Sequence, residues 1–163
     1  MKHGIFIKLS YSQDNEVCNL SYSVQVVSTQ KQLEQAFSIR TAVFVAEQQV
    51  PHELEIDEWE QEATHFLLYQ DSQKVLGTSR LRMLDEKTAK AERVAVLADA
   101  RGLGAGKRLM HAMEKYAREL GATQMVLNGQ ARVEKFYEQL GYRIVGEPFM
   151  DANIKHYHME KRL

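Results

Sequence analysis

The sequence predicts an α+β domain, and three stretches carry that prediction. From Thr64 to Leu97, strand-like runs are separated by the turn-like Asp71-Ser72-Gln73 and Asp85-Glu86-Lys87, the pattern of an antiparallel meander. The last of these runs leads through Arg101-Gly102-Leu103-Gly104-Ala105-Gly106-Lys107 into an amphipathic segment, so strand, glycine-rich turn and helix start follow one another. Beyond it a short strand, a helix and a closing pair of strands complete the alternation. A chain of 163 residues, 44% apolar and 26% charged, is long enough to bury the core of one such domain.

In order along the chain, residues 1–20 have weak periodicity and a polar centre from Ser12 to Asn15, and form an N-terminal extension: an added strand or hairpin, or an arm. Residues 21–163 read as a single domain. Tyr22 to Val27 alternates as a strand, and Gln30 to about Glu47 places Leu33, Phe37, Thr41 and Phe44 at helical spacing. Pro51 ends that helix. Between His52 and His65 stand Glu53, Glu55, Asp57, Glu58, Glu60 and Glu62 with no Lys or Arg among them. This run is either a field that draws in a cationic partner or a solvated loop face. Trp59 and His65 line a pocket there, or Trp59 anchors the loop.

After the meander, the helix from Lys107 to Leu120 presents Leu109, Met113, Tyr116 and Leu120 on one stripe, and Gly121 fits the residue just past its end. Met125 to Leu127 is a short strand. Ala131 to Leu140 is a helix with Val133, Phe136, Tyr137 and Leu140 on one face, ended by Gly141. Tyr142 to Val145 and Ile154 to Glu160 close the order β-α-(loop)-β-β-β-α-β-α-β-β.

Composition excludes several function classes. A formal charge of −1 gives no global basic field, so neither nucleic-acid nor membrane binding is implied. Cys18, the single cysteine, rules out an internal disulfide and a cysteine metal cluster. No signal-peptide or membrane-length apolar run is seen, and a cytoplasmic location is expected. His156 and His158 lie two apart on a strand, a chelating spacing, but with no third ligand in view no metal is expected.

The glycine turn is where the chemistry concentrates. Glycines let backbone approach a ligand closely, and the free N–H groups of the first helical turn point at it with the helix dipole behind them, which suits a phosphate. A P-loop is excluded because Arg101 and Arg108 occupy the positions of its first glycine and its hydroxyl residue. A dinucleotide fingerprint fails because Lys107 takes the third glycine position. Arg/Gln-x-x-Gly-x-Gly/Ala is filled by Arg101, Gly104 and Gly106, and downstream Lys135-Phe136-Tyr137-Glu138-Gln139-Leu140-Gly141-Tyr142 matches Phe-Tyr-Glu-x-x-Gly-Phe/Tyr. In both motifs, in that order, the chain resembles the GNAT superfamily of acyl-CoA-dependent N-acetyltransferases.

The resemblance implies a mixed, mainly antiparallel central sheet flanked by helices, the acyl-CoA N-acyltransferase fold, with acetyl-CoA as acyl donor. It implies that residues Arg101 to Lys107 (Arg101, Gly102, Leu103, Gly104, Ala105, Gly106, Lys107) hold the pyrophosphate. The backbone of Val94, Ala95 and Val96 would meet the pantetheine arm in a gap between splayed strands and polarise the thioester. Tyr137 falls where the family places a tyrosine that protonates the leaving thiolate; its other reading is a core tyrosine beside Phe136. Gln130 stands in place of the usual asparagine on the pantetheine arm. For a base, Glu92 shares a strand face with Val94 and Val96 by alternation, unless it pairs with Arg80 or Arg82. The function expected is acetyl transfer to an amine-bearing acceptor, cationic if the acidic run recruits it. The alternatives are an acyl-CoA-sensing module without turnover and a homodimer assembled through the N-terminal arm.

Overall fold

The computed structural model describes residues 20–163, so the expected extension, apart from Leu20, and Cys18 lie outside the described residues. The chain runs β1 (Tyr22–Val26), α1 (Gln30–Arg40) continued by a π-helical segment (Thr41–Glu47), α2 (His52–Glu55), β2 (Thr64–Gln70), β3 (Lys74–Met83), β4 (Thr88–Val96), α3 (Ala105–Glu119), β5 (Gln124–Gln130), α4 (Glu134–Gln139), β6 (Arg143–Ile144), β7 (Phe149–Asp151) and β8 (Ile154–Arg162). They build an 8-stranded sheet in the order β1-β2-β3-β4-β5-β8-β6, with β7 also paired to β8. Among the described residues only β4 and β5 pair in parallel; the other neighbours are antiparallel. The result is the mixed, mostly antiparallel sheet flanked by helices that the resemblance implies.

Two layers of helix cover the sheet. On one face Leu109, Met110 and Met113 of α3 pack on Phe66, Leu68, Leu76 and Leu81. On the other, Ala36 and Ile39 of α1 and Val43 of the π-helical segment pack on Leu67, Tyr69 and Ala95. Alternate residues of β2 thus serve opposite cores, which is why it reads as an unbroken apolar run.

α1 starts at a capping box. The Thr29 hydroxyl accepts from the Gln32 amide at 3.2 Å while the Gln32 side chain accepts from the Thr29 amide at 3.2 Å. Its buried stripe is Ala36, Ile39, Arg40 and Val43, not Leu33, Phe37, Thr41 and Phe44. The inner face carries an arginine, and a charge at a core position hides the period. Pro51 not only follows the π-helical segment but opens α2. α3 begins at Ala105, earlier than Lys107, and Leu120 is its exposed C-cap while Ala117 fills the stripe. Of the residues expected on the inner face of α4 only Tyr137 is buried. The hairpin of β7 and β8, turning through left-handed Ala152 and Asn153, was not expected from the sequence.

Two irregularities of β4 position the site. Arg93 has φ 53° and, with Val94, stands against Ser79 where the register slips between Thr78↔Ala95 and Arg80↔Glu92: a β-bulge. The ladder to β5 runs from Thr88↔Gln124 to Ala91↔Leu127 and then stops, although β4 continues to Val96 and β5 to Gln130. The strands part immediately before the bulge.

Candidate active site

The parted strands open a cleft of about 1070 Å³. Its walls include Val94 and Val96 of β4, Asn128 and Gln130 of β5, and Phe136 and Tyr137 of α4. The glycine turn forms one end, where Arg101, Gly102, Gly104, Ala105, Gly106 and Lys107 line it. Leu103 points elsewhere and is exposed, and the Ala95 side chain is buried in the opposite core, leaving only its backbone near the cleft edge. Glu92 also lines the cleft.

The turn is shaped to leave donors unused. Gly102 and Gly104 have φ of 79° and 74°, the left-handed region, and Gly104 is the N-cap of α3 with no side chain to accept from the first helical turn. The amides of Gly102, Leu103, Gly104, Ala105, Gly106 and Lys107 donate no hydrogen bond among the described residues. Their dipoles and that of the 15-residue helix behind them make this end of the cleft positive. Arg108 braces the turn: its Nη1 donates to the Leu103 carbonyl at 3.0 Å and its guanidinium lies 4.5 Å from the Tyr22 ring centroid. Arg101 donates from Nε to the Val96 carbonyl at 3.1 Å and from Nη2 to Glu47 at 2.6 Å. Lys107 is exposed at the rim.

Tyr137 is buried with its ring edge-on to Phe136 and Tyr142, at centroid distances of 4.9 and 6.1 Å. It lies against Gly129, where a Cβ would come 3.0 Å from the ring, so a glycine in β5 is what admits it. Burial pushes its phenol up to about 12, and its hydroxyl has no hydrogen-bond partner among the described residues. Gln130 reaches across the cleft mouth, its Nε2 donating to Gln48 at 2.7 Å while its Oε1 accepts from Arg132 at 2.8 Å.

The bulge corrects the placing of Glu92. Because an extra residue intervenes, Glu92 shares its face with Ala95 rather than with Val94 and Val96. Its carboxylate accepts from Arg82 Nε and Nη2 at 2.9 Å and from Arg80 Nε at 3.1 Å, and Lys90 Nζ lies 3.1 Å away. Burial acts to raise its pKa, but these cations overcome that and hold the carboxyl down to about 2.

The acidic run is neither a free anionic field nor a solvated face. Arg40 pairs with Glu55 and with Glu60, the latter at 2.7 Å. Arg80 bonds Asp57 at 2.7 Å and Glu60 at 2.8 Å, and Arg93 bonds Asp57 at 3.1 Å. Burial works against Asp57's ionisation too, and Arg80 and Arg93 bring it to about 2 nonetheless. Only Glu53, Glu58 and Glu62 of the run are exposed. His65 is buried beside Glu60, and burial lowers its pKa. Trp59 stacks under the Arg82 guanidinium at 4.4 Å. Neither His65 nor Trp59 lines the cleft, whereas His156, stacked on Phe149, does. Among the described residues no group of His, Cys, Asp and Glu is set to hold a metal ion. No helix there is long and apolar enough to cross a membrane.

Sequence reasoning missed Arg40, Arg93, Gln48 and the π-helical segment. The available signal was the acidic run's lack of cations, which required arginines from elsewhere in the chain if it was to be buried.

A model of the acetyltransferase (GNAT) domain family matches residues 21–163. An uncharacterized N-acetyltransferase of Bacillus subtilis (strain 168), YjcF, is 43% identical over 137 residues, covering 83% of this chain and 96% of that protein. An acyl-CoA N-acyltransferase from Pseudomonas aeruginosa superposes with a TM-score of 0.75 at 28% identity, over 87% of this chain and 99% of that one. A GNAT family acetyltransferase from Elizabethkingia anophelis, solved with acetyl-CoA bound, shares the fold at a TM-score of 0.71 and 14% identity, over 87% and 98% of the two chains. This chain belongs to the GNAT superfamily of acetyl-CoA-dependent N-acetyltransferases.

Proposed function

We propose that the protein transfers an acetyl group directly from acetyl-CoA to a primary amine of a small molecule or peptide, with both held in the cleft together. The observation that carries this reading is the parting of β4 and β5 beyond Ala91 and Leu127, onto a turn whose amides are unused. Acetyl-CoA supplies the acetyl group as an activated thioester.

The chain's own residues then divide the work. The amides of Gly102 to Lys107 hold the diphosphate, with Lys107 adding charge and Arg101, still paired with Glu47, bracing the turn through the Val96 carbonyl. The free edge of β4 at Val94, Ala95 and Val96 offers main-chain groups to the amides of the pantetheine arm and to the thioester oxygen. Gln130 contributes its side-chain amide, and Phe136, which a Cβ at Gly106 would approach to 3.1 Å, shapes the wall. The Tyr137 hydroxyl stays protonated through the neutral range and donates to the departing sulfur. Glu92, fully engaged and weakly basic, is left out of proton removal, which falls to water. Among the described residues, no hydroxyl or thiol side chain other than Tyr137 lines the cleft, which favours direct transfer over a covalent intermediate.

Calorimetric titration with CoA, followed by a thiol-release assay over a panel of amines, tests the reading. Saturable binding with acetylation of an amine is the expected result. Binding without turnover of any amine points to a sensing module, and a flat titration overturns the site.

A further inference from the structure

Resting on the acetyl-transfer reading, we infer that Glu55 receives the acceptor's amino group, and that the acceptor is an apolar molecule with a single amino group rather than a polycation. Glu55 ends α2, is 2% exposed and lines the cleft. Its Oε1 is taken by Arg40, and its main-chain oxygen accepts from Arg40 Nη2 at 2.6 Å and from Arg93 Nε at 3.2 Å. Its Oε2 is buried and has no hydrogen-bond partner among the described residues. A carboxylate oxygen removed from water and left without a donor is uncommon in a folded protein, because its desolvation is uncompensated. At a cleft wall, the missing donor is the ligand's, met when the Glu55 side chain turns that oxygen into the cleft.

Position and surroundings define that ligand. Glu55 Oε1 lies 3.7 Å from Nε of Arg93, the bulge residue just before Val94. The carboxylate therefore sits at the end of the free β4 edge away from the glycine turn, where the acyl group of a donor anchored at that turn arrives. Val43, Phe44, Val50 and Leu54 line the same wall and give an apolar bed. The other carboxylates near it are committed: Asp57 and Glu60 to Arg40, Arg80 and Arg93, and Glu92 to Arg80 and Arg82. Lys90 and Arg93 also face the cleft. A second ammonium entering this bed would meet Lys90 and Arg93, while one amine N–H finds Oε2.

Hexylamine and 1,6-diaminohexane, alike in length and different by one amino group, are the probes for the wild-type enzyme in the thiol-release assay. Hexylamine is expected to give a kcat/KM about tenfold or more above the diamine, since the second charge meets Lys90 and Arg93 in an apolar bed. Glu55→Gln is expected to raise the hexylamine KM about 10- to 100-fold, the worth of a hydrogen bond to a charged group, and to leave the acetyl-CoA KM within about twofold. A purely structural role for Glu55 would not split the two constants in that way. Equal or better use of the diamine, or an unchanged hexylamine KM in Glu55→Gln, overturns the inference. If the variant does not fold, the wild-type ranking of the two probes decides alone. A wild type that binds no CoA fails the acetyl-transfer reading and this inference with it. Firm CoA binding with preference for the diamine fails this inference only.

Discussion

Tyr137 occupies its place through the absence of a side chain on another element. With a Cβ at Gly129 only 3.0 Å from its ring, any substituent there must push the phenol along the cleft. Two substitutions separate the hydroxyl from its position. Tyr137→Phe keeps the ring packed against Phe136 and Tyr142 and removes only the donor. Its kcat is expected to fall about 10²-fold, the lower range for lost acid catalysis, with the acetyl-CoA KM unchanged and the melting curve unmoved. Full turnover in that variant removes the hydroxyl from the reaction. Gly129→Ala keeps the hydroxyl and shifts it, so its kcat also drops, now with about 1–3 kcal/mol of overpacking strain visible in urea unfolding. Equal kcat values for Gly129→Ala and the wild type would show that the ring's position is not critical.

At the scale of elements, α1, the loop around α2, and strands β3 and β4 are joined by charge as well as by apolar contact. Arg80, with a side chain 1% exposed, meets Asp57, Glu60 and Glu92 together. Replacing it by Met removes the one cation these three carboxylates share while Arg93, Arg40 and Arg82 stay beside them, and about 3 kcal/mol of stability, the low end for breaking a buried pair, is expected to be lost in chemical denaturation. The same network sets the response to acid. Asp57 and Glu92, ordinarily near 3.8 and 4.5, lie at about 2 in the folded protein. Between those values the unfolded chain binds more protons, so their contribution is complete above about pH 5 and is lost as pH falls toward 2, on the order of 2–3 kcal/mol apiece. His65, lowered from 6.5 by burial, acts in the same direction and starts the decline nearer pH 6.5. Stability measured by urea titration from pH 7 to 3 should fall throughout, and a flat profile would contradict the network.

These elements also show what the sequence makes legible. Local patterns such as the capping box, the meander and the left-handed glycines at 102, 104, 121 and 141 are fixed by neighbours in the chain and can be read directly. The face of Glu92 depends on one left-handed residue, Arg93, whose type gives no warning of φ 53°. The Arg40 stripe and the neutralised acidic run depend on pairings between residues 15 to 36 positions apart, such as Arg40 with Glu55 and Arg93 with Asp57, and periodicity carries no information on these. The cleft-lining residues of the glycine turn were readable because turn, helix and phosphate chemistry are encoded within a few consecutive positions.

The whole molecule is stitched unevenly across its middle. β4 and β5 share hydrogen bonds only from Thr88 to Ala91, and beyond that level the two sides are tied by polar contacts at the cleft mouth, such as Gln130 to Gln48 at 2.7 Å. A ligand lying between the strands supplies the backbone partners that the ladder lacks there, so binding should stiffen residues 92–96 and 128–130 as well as the turn. By mass action, CoA at a hundredfold its Kd adds about 2.7 kcal/mol, which for a domain of this size lifts Tm by about 5–11 °C. Gly104→Val, forced into a left-handed conformation and set against Arg108 Nη1, where even a Cβ would come within 2.7 Å, is expected to abolish that shift while the rest of the fold persists. Hydrogen exchange separates local from global effects. With CoA present, amides of 92–96 and 128–130 should slow more than those of β1 and β2 at the far edge of the sheet. If protection instead rises uniformly, the ligand acts only through global stability, and the parted strands are not where it lies.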